Sequence, residues 1–345
     1  MPEIPSTAIH RSQATIPATS WHLKHTIGPR GIGILLIVFA LLAYSGHRVE
    51  LDRAAVEIGG AVAANVGLKE ESQLGSGMAS FIKGMFPLAI AETTELNRLQ
   101  NFDRENLPWF SRIETQVHSQ RVFDSTAMSW TVVEREREVL VQPIGYLTRV
   151  GQLMLITIEM AFWATIIAIT LAMPLGFLAA SNLTPHPMAM RISRAISSFF
   201  RSMPELILAM IMVLGFGFGP VAGILALGLH TAGFFGKFFA DDIENADTGP
   251  QEALRATGAG RLAIFRLAVL PQVLPQYAAY IQYILERNVR TATIIGIVGA
   301  GGIGVELKGR WDMFNYQHVA TILLAIFITV VVLEQITGRI RRRMM

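Results

Sequence analysis

Residues 157–180 read TIEMAFWATIIAITLAMPLGFLAA, and Glu159 is the single charge among them. An α-helix rises about 1.5 Å per residue and the hydrocarbon core of a bilayer is about 30 Å thick, so a run of this length and polarity spans a membrane. Extended upstream to Gly151, it is the second of six such segments. The others are Gly28 to Gly46, with an apolar heart from Ile32 to Tyr44; roughly Ile196 to Phe218; Val221 to Ala240; roughly Phe265 to Val298, interrupted by Pro271 and Pro275; and Val319 to Thr337. The composition agrees. Of 345 residues 52% are hydrophobic and 16% charged, with a mean hydropathy of +0.43, whereas soluble proteins carry about a quarter of their residues as charges. The absence of cysteine excludes disulfide frameworks, thiolate metal sites and a thiol nucleophile. A net charge of +3 raises nucleic acid as a partner, but the basic residues are scattered without interleaved aromatics, so none is expected.

Lys and Arg in short loops set the orientation of a membrane chain. The N-terminal tail holds Arg11, Lys24 and Arg30, the loop after the second segment Arg191 and Arg194, and the C-terminus Arg339, Arg341, Arg342 and Arg343. Placing all three inside gives an all-α integral membrane protein of six transmembrane helices with both termini cytoplasmic. The expected organisation is a cytoplasmic tail over 1–27, a first helix over 28–46, an extracytoplasmic segment over 47–148, a membrane core over 149–338 and a basic cytoplasmic tail over 339–345. A cleaved signal peptide ending near Ala43 to Ser45 is the competing reading of the first helix, disfavoured by the length of the region before it. The outer segment, 46–148, carries 10 Lys/Arg against 14 Asp/Glu, net −4. Within it Leu74 to Ala91 reads as an interfacial helix, and Glu92 to Leu140, with its EREREV cluster at Glu134 to Val139, as a solvated helical cap.

The segment Gly249 to Gln276, GPQEALRATGAGRLAIFRLAVLPQVLPQ, lies between the fourth and fifth spans. It reads as a short helix over Gln251 to Thr257, a turn at Gly258-Ala259-Gly260, and a second helical stretch to Leu270-Pro271, where Pro271 marks the restart of the next element. A rigid hairpin protruding into the cytoplasm is a docking point. Its spacing, Glu252-Ala253-Leu254, three residues, Gly258, nine residues, Ala268-x-Leu270-Pro271, resembles the EAA loop of ABC importer permeases, with Leu254 and Ala268 in place of the motif's second Ala and its Ile. The resemblance extends over about Gln152 to Gly338 to the permease subunit of phosphonate ABC importers. It is carried by LGLHTAGFFGKFF (Leu227 to Phe239), LRATGA (Leu254 to Ala259) and ERNVRTATIIGIVGAGGIG (Glu286 to Gly304), with GSGMASFIKGMFP upstream. An insertion of roughly 50 residues, about Leu96 to Gly145, departs from the family.

The resemblance implies a type I importer fold, a MetI-like core of five helices plus an N-terminal helix. It also implies a homodimer in the inner membrane, two cytoplasmic ATP-binding subunits docked on the 249–271 loop, and an extracytoplasmic binding protein for phosphonate or a related phosphorus oxyanion. Glu252, Ala253, Gly258, Leu270 and Pro271 are then the coupling residues. No cofactor is implied, and lipids are the remaining partner. This chain is not expected to hydrolyse ATP, since it has no G-x-x-x-x-G-K-[ST]; Gly236-Lys237 is followed by Phe238 in an apolar helix.

Charge at membrane depth is costly, so such residues are paired or face a wet path. Glu286 and Arg290 lie four apart on one helical face, with Arg287 and Asn288 elsewhere on the turn. Measured about 30 Å along a straight helix from Phe265, they fall near the outer leaflet's edge. Arg290 then either meets an incoming anion or, with Glu286, staples the helix to a neighbour. His230 and Lys237, seven apart, share a face; Arg201 and Glu205 form an i, i+4 pair bracketing Pro204; Glu159 reads as an interhelical polar contact. The glycines at 296, 299, 301, 302 and 304 end the fifth helix. Gly301 and Gly302 either present amides to an oxyanion or make a tight re-entrant turn, the simpler reading, and on both readings form an outer gate. The functional alternatives are an importer of another small solute (phosphate, phosphite or methionine-like compounds), a membrane sensor, for which the eight residues after Thr337 leave no output domain, and a membrane-embedded enzyme, for which no polar constellation is visible.

Overall fold

The computed structural model describes residues 29–65, 72–99, 102, 104, 107–108, 110–124 and 128–344. The expected tail over 1–27 lies outside them. The chain divides into two compact units, Met1–Ala79 and Ser80–Met345.

In the first unit, helices α1 (Pro29–Arg48) and α2 (Leu51–Asn65) are joined at Glu50, which takes φ 59°. The imidazole of His47 lies 3.0 Å from the Asp52 carboxylate across this corner. The span Gly31–Arg48 is apolar on all sides and buries none of its residues in the chain, as a lipid-facing helix does.

Helix α3 (Gln73–Met85) takes up most of the expected interfacial segment, and Phe81 packs edge-on against Tyr316 at 5.0 Å between ring centroids. The helical cap expected over Glu92 to Leu140 is instead an antiparallel sheet, β1 (Glu92–Glu95), β2 (Arg112–Asp124) and β3 (Ser129–Gln142), in the order β1-β3-β2. Register is fixed by pairs such as Thr93↔Val141 and Val117↔Glu136. The physical reason is in the run itself. Acid alternates with base over Glu134 to Arg137 with a period of two, and Val132, Val133, Val139 and Val141 flank it, a strand's pattern and composition. A helix would set Glu134 against Glu138 at i, i+4; the strand instead lets Arg137 reach Glu95 on β1. The all-α description therefore holds for the membrane-spanning part alone.

That part comprises α4 (Gly145–Ala179), α5 (Pro187–Ser202), α6 (Glu205–Phe216), α7 (Pro220–Asn245), α8 (Thr248–Ala256), α9 (Arg261–Ile264), a π-helical segment (Phe265–Val269), α10 (Leu270–Gly296), α11 (Ile303–Asp312) and α12 (Tyr316–Met344). Among the described residues five helices are long and apolar enough to cross a membrane, six if α5 and α6 count as one. The third expected span is broken: α5 and α6 meet at 96°. Pro204 holds Met203 extended, at φ −73° and ψ 130°, and disfavours helix at the residue before it. The exposed Arg191 and Arg194 of α5 suit a surface better than lipid. The basic tail over 339–345 continues α12 as far as Met344.

Ala161, Ala164, Ala168 and Ala172 of α4 are fully buried and recur at three- and four-residue spacing, a flat stripe that lets α7 approach closely. Two ends of the bundle follow. At the start of α4, the Tyr146 amide donates to the carbonyl of Ile90, just before β1, at 3.1 Å. After α4 ends, the Ser181 amide donates to Glu244 at 2.6 Å, at the end of α7 and beside the α8 hairpin. A helix of 35 residues, about 52 Å long, separates the sheet end from the hairpin end.

Candidate functional site

At the hairpin end, α8 starts where the Asp247 carboxylate accepts from the Gly249 amide at 3.1 Å, a cap that satisfies one of the helix's free donors. Gln251 is buried, and its amide donates to the Ala246 and Asp247 carbonyls at 3.2 and 3.1 Å. The helix ends at Gly258, φ +80°, with the Ala259 amide closing back on Leu254 at 3.2 Å. Leu254 packs against the core cluster that includes Phe239, Ile243 and Ile264, so the hairpin is fastened from below. Glu252, Ala253 and Gly258 stand exposed, and Glu252 makes no ion pair among the described residues. Leu270 and Pro271 open α10, and Leu270 packs against the same cluster as Leu254. Pro271 stands in the first turn of α10, where the spacing predicts the restart, and the π-helical segment Phe265–Val269 joins it to α9 in one helical span from Arg261 to Gly296.

Deeper in the bundle, three ionisable side chains from three helices converge. Nε2 of His230 on α7 lies 3.0 Å from the Glu205 carboxylate at the start of α6, and the same carboxylate accepts from Arg287 of α10. Nδ1 of His230 lies 3.2 Å from the Phe200 carbonyl of α5. This approach depends on Gly233: a Cβ there would sit 2.8 Å from the Arg201 amide nitrogen and the Ser197 carbonyl oxygen, so any larger residue would push α5 away from α7. The Arg287 guanidinium lies over the Phe234 ring at 4.9 Å. Glu205 thus pairs with His230 and Arg287, not with Arg201, which is exposed and without an ion pair among the described residues. The 96° break is what turns Glu205 inward and away from Arg201.

Asn288 is buried and ties three helices together, donating to Thr165 of α4 at 2.9 Å and accepting from Thr231 of α7 at 3.2 Å. Thr165 stands some 30 Å along the roughly 52 Å of α4, and Thr231 near the midpoint of α7. The polar turn of α10 is therefore close to mid-bundle and not at the outer edge. The helix of Arg261 to Gly296 starts at the hairpin, so its first turns belong to the hairpin end. Glu286 and Arg290 form the expected pair, at 3.0 Å, with Arg290 half exposed. Lys237 stays apart from His230, 3.6 Å from Asp241 on its own helix, lining with Arg194 and Ser197 a cavity of about 120 Å³.

Gly301 and Gly302, at φ +92° and +70°, are buried in the turn between α10 and α11. A Cβ on Gly302 would lie 2.6 Å from Thr157 Oγ1, the atom that accepts the Ile303 amide at 2.9 Å. The turn packs on α4 and on the start of α7, so its backbone meets protein.

Arg287 lies off the Glu286–Arg290 face, and the signal in the sequence is that a charge so placed still needs a partner, which Glu205 supplies.

A family model described as binding-protein-dependent transport system inner membrane component matches residues 172–345. The putative phosphite transport system permease protein HtxE of Stutzerimonas stutzeri is 50% identical over 260 residues, 75% of this chain and 100% of that protein. The phosphate-import permease protein PhnE of Mycolicibacterium smegmatis is 41% identical over 194 residues, 56% of this chain and 36% of that protein. Among solved structures, the inward-facing MetNI methionine ABC transporter aligns with a TM-score of 0.51 and 26% identity, over 57% of this chain and 96% of that one.

Proposed function

The chain belongs to the family of binding-protein-dependent transport system inner membrane components, and on that premise we propose that it is the permease of an ATP-driven importer for phosphonate or a related phosphorus oxyanion. As a multi-pass ABC permease it moves a small solute and leaves ATP hydrolysis to another subunit. The finer reading is a homodimer in the bacterial inner membrane, with two ATP-binding subunits on the cytoplasmic side and a soluble receptor outside. Relatives described as phosphite and phosphate permeases support the substrate class.

The observation that carries the coupling reading is the hairpin. A capped, buried-anchored helix ends in a left-handed glycine and offers Glu252, with no ion pair among the described residues, and the exposed Ala253. It sits on the end of a 36-residue helix whose other half carries Arg287 and Asn288, so a push on one end moves the other. In the proposed cycle, ATP binding closes the ATPase pair and draws the two hairpins together. The dimer then passes from inward-open to outward-open, the receptor releases its anion into the path, and hydrolysis resets the pair.

Because the chain has no cysteine, Ala253→Cys introduces a single thiol. In membranes containing the assembled transporter, this thiol should cross-link to a cysteine-bearing ATPase subunit with a yield that changes on ATP binding. A thiol that cross-links only to lipid-phase reagents overturns the docking assignment. Competition at the receptor among methylphosphonate, phosphite, phosphate and methionine ranks the substrates.

A further inference from the structure

Helix α5 has three different faces. Ser193 and Ser197, four apart, are buried, Ser197 against Gly236 of α7. Met188, Ile192, Ile196 and Phe199 recur at four- and three-residue spacing and stand exposed. On their side Ile196 borders an apolar groove of about 310 Å³ with Leu171, Leu175 and Leu178 of α4, so this face meets lipid. Arg191, Arg194, Ser198 and Arg201 recur at the same spacing and are exposed as well, on the side of the helix away from the apolar face. There Arg194, Ser197 and Ser198 share with Lys237 and Asp241 of α7 the cavity of about 120 Å³.

The α7 backbone measures how deep the basic face runs. Arg194 donates to Glu244 at 2.6 Å, level with the hairpin end. The Arg201 amide lies 2.8 Å from the Cβ position of Gly233, which on α7 is about 16 Å nearer the middle of the bundle. An exposed guanidinium at that depth cannot face hydrocarbon cheaply, so it faces water. The carboxylates that touch this face are Glu244 on Arg194 and Asp241, 3.6 Å from Lys237. Arg191 and Arg201 make no ion pair among the described residues, so the face carries surplus positive charge. Where two copies of the chain meet, like-charged faces repel and leave a wet gap between them. We propose that Arg191, Arg194, Ser198 and Arg201 of α5, with Lys237 of α7, line the hairpin-side half of the solute path, an anion-selective aqueous lane from mid-bundle to the hairpin end. The lane rests on the importer reading. In it α5 is the wall between water and lipid.

Because the chain has no cysteine, single thiols at Ser198→Cys and Ile196→Cys test the two faces. The assembled transporter, with its ATPase, is labelled from the hairpin side with anionic sulfonatoethyl or cationic trimethylammonioethyl methanethiosulfonate, each rate normalised to that of a free thiol in solution. Ser198→Cys should react with both and favour the anionic reagent about tenfold, the size of a local field's effect on counter-ion concentration. Adding Arg201→Gln and Lys237→Gln should bring that preference to within twofold of unity. A non-hydrolysable ATP analogue, which closes the hairpin side, should slow the reaction at least fivefold, as a plain cytoplasmic surface would not. Ile196→Cys should react only with a membrane-permeant maleimide. An unreactive Ser198→Cys, equal rates for the two charges, a preference unmoved by the double substitution, a rate indifferent to the analogue, or Ile196→Cys as reactive as Ser198→Cys overturns the lane. A wild-type complex that transports neither phosphite nor methylphosphonate, while the labelling pattern holds, overturns the substrate reading and leaves the lane standing.

Discussion

Gly258 ends α8 with φ +80°, and a Cβ built there meets nothing within 4 Å. A substitution is therefore penalised by the backbone alone, without steric contact to confuse the result. An L-residue in the left-handed region costs about 1–2 kcal/mol, and a β-branched one more, while asparagine tolerates that region. One or two kcal/mol is a factor of roughly 5–30 in a two-state population. Gly258→Ala should lower the fraction of hairpins in the docking conformation by about that factor, Gly258→Val should lower it further, and Gly258→Asn should stay near wild type. The assay is initial uptake rate at saturating ATP with receptor in excess, normalised to assembled transporter. An order Gly ≈ Asn > Ala > Val supports the reasoning. Val at the wild-type rate, or Asn as defective as Val, refutes it.

Three further outcomes follow from the packing. Asn288→Ala removes the amide that joins α4, α7 and α10 and should cost about 1–3 kcal/mol, read as a lower thermal midpoint of the detergent-solubilised protein. Gly233→Leu puts side-chain atoms where the α5 backbone already lies 2.8 Å from a Cβ position; it should separate α5 from α7 and prevent accumulation of folded protein, measured as the monodisperse fraction on gel filtration. In the sheet, the Arg137 guanidinium hydrogen-bonded to Glu95 holds that carboxyl below its ordinary range. A lowered folded-state value stabilises above the unfolded value and is lost as pH falls through the folded one. Amide exchange over 92–95 should therefore quicken on acidification below the usual carboxylate range, and Arg137→Gln should shift that onset upward in pH.

The spans were legible because lipid imposes a long uniform apolar run, readable from local composition. α4, α7 and α12 lie close to where hydropathy put them, and the Glu252 to Pro271 spacing identified the hairpin because turn glycine and cap obey local rules. The sheet was misread because Glu92 to Leu140 is polar on both readings; only the two-residue alternation of charge, with its valines, favoured a strand. The break at Pro204 was hidden by the apolar stretch around it. Glu205, His230 and Arg287 are joined across 25 and 57 positions, and a contact of that range depends on how helices cross, which no periodicity within one helix records. Each member was visible as a charge that needed a partner, but not which partner it had.

The most direct measurement is receptor-dependent uptake into sealed vesicles carrying this chain with its ATP-binding subunit and soluble receptor. The account expects phosphite, phosphate or a phosphonate to accumulate only with ATP on the hairpin side and receptor on the sheet side. Accumulation of methionine in preference to every phosphorus oxyanion, or uptake indifferent to ATP and receptor, would contradict it.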